Sequence, residues 1–179
     1  YDVLRPYGVW AVISPFNFPM ALAAGPSSAA LVAGNSVVFK PAHMGVFTGL
    51  KLYEIYMAAG VPKGVFHFLS GPGSVVGDEI VNHPDVAGIT FTGSYEVGMG
   101  IYKGFAKDFP KPVICEMGGK NPTIVTDKAD LDKATDGVLR SAFGFGGQKC
   151  SANSRVYVHR SVYDEFVRRL KDKAENVKI

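Results

Sequence analysis

The chain is poor in the residues that would point to several whole classes of protein. Only two cysteines, Cys115 and Cys150, occur among 179 residues. Two cysteines in unlike surroundings do not make a disulfide framework, so a reducing, cytoplasmic setting is expected. Histidine is scarce too: His43, His67, His83 and His159 fall in no ligand spacing with cysteine, so no metal site is expected. No apolar run reaches the roughly 18 residues of a membrane-spanning helix, because the best candidate, 16–38, is broken by Pro19, Gly25, Pro26, Gly34 and Asn35. Nineteen Lys and Arg against sixteen Asp and Glu leave a net charge of only +3, and no basic run exists, so no nucleic-acid partner is expected. The opening YDVLRPYG has neither the basic-then-apolar order of a signal peptide nor an initiator Met, so the expectation is a central fragment of a longer protein.

What is present is a globular composition. Apolar residues make up 47% and charged residues 20%, which excludes a chain too polar to bury a core. The 21 glycines and 11 prolines follow no period, so collagen-like and low-complexity readings drop out. Short β-branched runs at 8–13, 36–40, 65–69, 87–91, 112–116, 123–126 and 155–159 read as strands, each bounded by Gly, Pro, Asn or Ser. Helix-length segments at 19–33, 46–59, 74–82, 95–107, 131–141 and 161–177 lie between or after them. Alternation of this kind predicts an α/β fold: a Rossmann-like open parallel sheet flanked by helices, then the start of a second α/β domain. The strands are nearly continuous apolar runs, as burial on both faces requires. The glycine pair at 118–119 marks the expected boundary, giving domains 1–118 and 119–179. In the last helix Val162, Phe166, Leu170 and Ala174 form one apolar stripe beside a charged face.

Four segments carry residue types that can do chemistry. Cys150 stands in FGFGGQKCSANSR, where glycines allow close backbone approach. There it is either a thiolate nucleophile or a small buried hydrophobe. Cys115, inside an apolar strand, reads as core. Glu116 follows it at a strand end, where ligands of open α/β sheets bind. It is either a buried general base or a solvent-facing carboxylate. FTGSYEVG, 91–98, is a strand, a Gly-Ser turn and a helix start, so its amides and Ser94 could hold a phosphate or merely cap a helix. GPGSVVG, 71–77, is a looser relative of the dinucleotide fingerprint. In SPFNFP, 14–19, two prolines stiffen the turn around Asn17, whose amide could donate to an oxyanion or simply form the turn.

Taken together in this order, SPFNFP, VVFKPA (37–42), FTGSYEVG, EMGGKNP (116–122) and GGQKCSA (146–152) resemble the aldehyde dehydrogenase superfamily over essentially the whole chain. Glu116 and Cys150 are 34 residues apart, as in that family, and GGQKCSANSR most resembles its 1-pyrroline-5-carboxylate dehydrogenase branch, which oxidises glutamate γ-semialdehyde to glutamate in proline catabolism. The resemblance implies an NAD(P)-dependent oxidation of an aldehyde to an acid. Cys150 would form a thiohemiacetal and then a thioester, Asn17 and the Cys150 amide would hold the oxyanion, and Glu116 would activate the hydrolytic water. It also implies a cofactor site of Ile13, Pro15, Phe16, Lys40, His43, Gly71, Phe91, Gly93, Ser94, Val97, Gly98 and Met117, and a contact of Ser151 with the substrate carboxylate. NAD is the implied cofactor, with NADP possible, because His43 stands where many NAD-preferring relatives carry a glutamate.

The partner implied is a small-molecule aldehyde, with no membrane, and the full-length protein is expected to be a homo-oligomer. Relatives are much longer, so the isolated segment is expected to be a weak or inactive catalyst. A non-catalytic nucleotide-binding fragment, a different aldehyde substrate, and a thiol hydrolase pairing Cys150 with a histidine are the competing readings.

Overall fold

The computed structural model describes residues 5–177. They form two compact units that meet in sequence between Met117 and Gly118. In the first, β1 (Val9–Ser14), β2 (Ser36–Pro41), β3 (Phe66–Phe68), β4 (Val86–Thr92) and β5 (Val113–Glu116) make one sheet in the order β3-β2-β1-β4-β5. Every neighbouring pair is parallel. The connecting helices are α1 (Ala21–Val32), α2 (Val46–Ala58), α3 (Asp78–Asn82) and α4 (Tyr95–Gly104). This is the expected open parallel α/β sheet.

Strand pleating sorts the side chains between two cores, because successive residues point to opposite faces. Ala11, Ile89 and Phe91 pack with Ile80 of α3 and Ile101 of α4. Val12, Val37, Phe39 and Phe66 pack with Ala23 and Ala30 of α1 and Leu52 of α2. The second core is aromatic: the Phe66 ring lies 5.9 Å from Phe39 and 4.7 Å edge-on from Tyr56. Each buried phenylalanine contributes about 1.5–3 kcal/mol. Over β4 a ring takes the place of a helix. Trp10 lies across Gly88, where any Cβ would fall 2.3 Å from the indole, and its Nε1–H donates to Thr90 Oγ1 at 2.9 Å.

The helix expected at 74–82 is in fact a π-turn over Gly73–Gly77 that leads into the five residues of α3. Two glycines and the β-branched Val75 and Val76 disfavour a regular α-helix there.

The second unit holds β6 (Asn121–Val125), α5 (Leu131–Phe143), β7 (Asn153–Val158) and α6 (Tyr163–Glu175), with β6 and β7 parallel. Asp130 caps α5, its Oδ1 accepting from the amides of Asp132 at 3.1 Å and Lys133 at 3.2 Å. Val125, Val138 and Phe166 form the core, with Leu131, Val156, Val158 and Leu170 around them. Of the anticipated apolar stripe, Phe166 and Leu170 are inward, whereas Val162 belongs to a short 3₁₀ turn before α6. Arg169 reaches Asp132 at 2.9 Å and Lys173 reaches Asp136 at 2.6 Å, tying α6 to α5.

Candidate active site

In the first unit β2 and β4 leave β1 on opposite sides, and the crevice beyond the carboxyl end of such a strand is where open α/β sheets bind ligands. The residues singled out from the sequence gather along that end. Ile13 is the penultimate residue of β1, and past Ser14 come buried Pro15, exposed Phe16 and half-buried Asn17. The Asn17 Oδ1 accepts from the Phe18 amide at 3.1 Å, which fixes the carboxamide in its turn. Lys40 and Phe91 are the penultimate residues of β2 and β4, and exposed His43 opens the 3₁₀ turn that follows β2. Gly71 lies after β3, and Met117 follows β5.

Pleat parity places Ile13, Phe91 and Met117 on the sheet face that α3 and α4 cover. Lys40 shares that face, two residues after Val38. The residue is only 5% exposed, and its ammonium donates to its own neighbour's carbonyl, Pro41 O, at 3.3 Å. Desolvation pushes its pKa below the usual lysine range. Gly77 of the π-turn lies beside its stem.

Ser94 caps α4, its Oγ accepting from the Val97 amide at 3.4 Å, while the Gly93 amide is spent on Glu116 O at 3.0 Å. The ten-residue α4 therefore presents its amino end at the sheet's carboxyl edge. Val97 is exposed there. Gly98 is buried instead, and a Cβ on it would sit 2.5 Å from Met117 Sδ and 3.0 Å from the Phe91 ring. Its glycine serves close helix–sheet packing. Cys115 is partly buried against the core: its thiol donates to Gly98 O at 3.4 Å, and burial pushes its pKa up.

Glu116 corrects one of the two sequence readings. It is exposed, not buried. β5 is an edge strand, and Glu116 shares the face of Ile114, itself 49% exposed, away from the α4 side that packs Cys115.

In the second unit Cys150 is exposed, and so is Ser151. The chain leaves α5 through three left-handed residues: Phe145 at φ 55°, Gly146 at φ 61° and Gly147 at φ 72°. Two of these are glycines because a Cβ disfavours that region. Phe145 adopts it without that freedom, a strained position of the kind found at functional sites. A ladder of local bonds closes the turn: Gln148 N to Phe145 O at 3.1 Å, Lys149 N to Gly147 O at 2.8 Å and Ala152 N to Lys149 O at 3.0 Å.

Sequence reasoning missed Asn121. Its Nδ2 donates to Cys150 O at 2.5 Å and to Ala152 O at 3.1 Å. The Asn-Pro dipeptide at a strand start was the available signal, since such pairs mark irregular backbone. Among the described residues no three His, Cys, Asp or Glu side chains cluster to hold a metal. Nor is any helix long and apolar enough to cross a membrane.

The pattern of the aldehyde dehydrogenase family matches residues 1–179. The 1-pyrroline-5-carboxylate dehydrogenase of Bacillus cytotoxicus is 48% identical over 169 residues, which are 92% of this chain and 33% of that protein. The chain thus spans about a third of the length of the curated relatives it matches. Among solved structures, proline utilization A from Bdellovibrio bacteriovorus superposes with a TM-score of 0.92 at 50% identity, over 96% of this chain and 18% of that one. The 1-pyrroline-5-carboxylate dehydrogenase from Thermus with bound NAD gives 0.92 at 42% identity, over 96% and 34%. With that coverage and identity behind the sheet order and the two strand-end motifs, this chain belongs to the aldehyde dehydrogenase family.

Proposed function

We propose that this chain is the central segment of an NAD-dependent dehydrogenase that oxidises glutamate γ-semialdehyde, the open form of 1-pyrroline-5-carboxylate, to glutamate. The 48% identity to a 1-pyrroline-5-carboxylate dehydrogenase along nearly the whole segment carries this reading. Residues 1–118 would supply the nucleotide cleft and 119–179 the start of the catalytic domain. The full-length protein would be a cytoplasmic homo-oligomer.

The residues present suit a dinucleotide. A capped helix start and a buried, weakly partnered ammonium meet one strand edge at the point where the sheet order reverses. In this reading Ser94 and the α4 amino end bind the pyrophosphate and Lys40 the adenosine ribose. Ile13, Pro15, Phe16, His43, Gly71, Phe91, Gly93, Val97 and Met117 line the remaining cleft, and Gly98 lets α4 close against Met117. When bound, NAD supplies the hydride acceptor.

The chain's own residues do the rest. The Cys150 sulfur attacks the aldehyde carbon, and the resulting oxyanion takes hydrogen bonds from the Asn17 carboxamide and the Cys150 amide, each donor worth roughly 3–4 kcal/mol. After oxidation the acyl group is held on Cys150 as a thioester. Glu116 accepts a proton from water, and the hydroxide displaces the thiolate to release the acid. An exposed carboxylate suits that role, because the water must reach it. Ser151 holds the substrate's own carboxylate.

The test uses the full-length enzyme with glutamate γ-semialdehyde and with simple aliphatic aldehydes. Cys150→Ser is expected to abolish the stoichiometric NADH burst, and Glu116→Gln to keep the burst while stalling turnover. NADH formation by the serine variant would refute the nucleophile. A preference for unsubstituted aldehydes over the semialdehyde would refute the substrate.

A further inference from the structure

We infer that Asn121 is a positioning residue for the nucleophile, its carboxamide holding the Cys150 turn from the start of β6; the inference rests on the role proposed for Cys150. The geometry begins with Pro122. Proline has no amide hydrogen to continue a ladder, so regular pairing breaks at it. The register shifts there: Asn121 stands opposite Asn153, but Pro122 stands opposite Arg155, leaving Ser154 unmatched. Such bulges re-aim side chains and recur beside active sites.

Here the re-aimed group is a carboxamide with two donors. Both go to the nucleophile turn, to Cys150 O and Ala152 O, which flank Ser151. The fork spans 29 residues of sequence to Cys150 and 31 to Ala152. It fixes two carbonyls of a turn whose other bonds include the local ladder and one from Lys149 Nζ to Arg140 O of α5 at 3.3 Å. Fixing the Cys150 carbonyl fixes the peptide from which its side chain projects. It also sets the direction of the neighbouring amides on which an oxyanion would depend.

The backbone of Asn121 is held separately. Its carbonyl accepts from Ser154 Oγ at 3.4 Å and from Asn153 Nδ2 at 3.5 Å. Asn153 in turn donates to Thr123 Oγ1 at 2.8 Å and to Arg155 O at 2.7 Å. Two asparagines face each other across the bulge with different tasks: Asn153 secures strand pairing, and Asn121 secures the nucleophile.

Asn121→Asp separates the two. The isosteric carboxylate cannot donate and would set an oxygen against two carbonyl oxygens. In the full-length enzyme the rate of NADH burst formation is expected to fall roughly 10- to 100-fold, the loss that a small misplacement of a reacting group causes. NAD affinity should stay within about twofold, since Asn121 does not touch the nucleotide in this account. Alkylation of Cys150 by iodoacetamide should slow in parallel. Asn153→Ala is the control: it should lower thermal stability and leave the burst rate within about twofold.

If Asn121→Asp does not fold, Asn121→Ala reports the same rates. Wild-type burst and alkylation rates in a folded Asn121 variant would overturn the inference. So would equal slowing by Asn153→Ala, which would make the effect a general loosening. Cys150→Ser keeps the two claims apart: an active serine variant removes the nucleophile itself, whereas an inert serine variant beside an unimpaired Asn121→Asp removes only the clamp.

Discussion

Adding one methyl group at two glycines ten residues apart should have opposite effects. Gly147 sits at φ +72°, and a Cβ there would fall 2.9 Å from the backbone oxygen of Ala142, in the last turn of α5. The left-handed backbone costs an alanine roughly 1–2 kcal/mol, and the clash with a helix carbonyl that cannot swing away adds a further overpacking term of similar size. Gly147→Ala is therefore expected to destabilise the turn by about 2–4 kcal/mol. Gly137 lies inside α5 with ordinary helical geometry and open space where its Cβ would go. Gly137→Ala should stabilise the helix by about 0.5–1 kcal/mol. Hydrogen exchange on the full-length protein reads both locally, without requiring the whole molecule to unfold in one step. Amides from 141 to 152 should exchange roughly 30-fold faster or more in Gly147→Ala, since each ~1.4 kcal/mol is tenfold. Amides of α5 should slow in Gly137→Ala. A Gly147→Ala protein with native protection over that segment would refute the argument that left-handed geometry holds the Cys150 turn.

Two further perturbations test charge. Arg168 and Arg169 hold the Glu165 carboxyl at about 2, against an ordinary value of 4.5. A depressed carboxylate pKa favours the folded state fully above about pH 4.5 and loses that contribution as pH falls toward 2. Glu165→Gln should therefore flatten the acid limb of α6 hydrogen exchange between those values, and an unchanged acid limb would contradict it. At the other end of the chain, His43→Glu would place a carboxylate in the exposed turn after β2. If that turn faces the adenosine ribose, the variant should lower kcat/KM for NADP at least tenfold relative to NAD, by repelling a 2′-phosphate. An unchanged ratio would remove His43 from the cofactor site.

The fold was readable because its signals are local. Strands such as VWAVIS and VAGITFT are bounded by breakers, and their crossover segments are long enough only for parallel pairing. Ser94 was legible as a cap for the same reason, since a cap and the amide it serves lie within one turn. What stayed hidden depends on surroundings. Glu116 could be buried or exposed at a strand end, and the choice turns on whether anything covers that face of β5. Gly98 entered as a cofactor-site residue that the resemblance implies, yet its absent Cβ makes room for Met117, nineteen residues on. The clamp from Asn121 to Cys150 has the Asn-Pro pair as its one local sign, because the bulge that aims it needs both strands.

The two cysteines show how the same residue type is given opposite fates by packing alone. Cys115 lies against the α4 side of the sheet, its thiol donating to Gly98 O, with burial opposing ionisation. A thiolate there would lose water and gain no cation, so an alkylating reagent meets a partly buried sulfur that resists ionisation. Cys150 is exposed at the end of a turn built from left-handed residues, with its carbonyl rather than its sulfur tied down. Restraint of the peptide with freedom of the side chain is what a nucleophile requires: the sulfur must reach a carbon while the amide beside it stays fixed. The same contrast makes the alkylation assay specific. Read on the peptide that carries Cys150, alkylation follows the exposed thiol apart from the partly buried one, and a change of rate on altering Asn121 is a statement about that one turn.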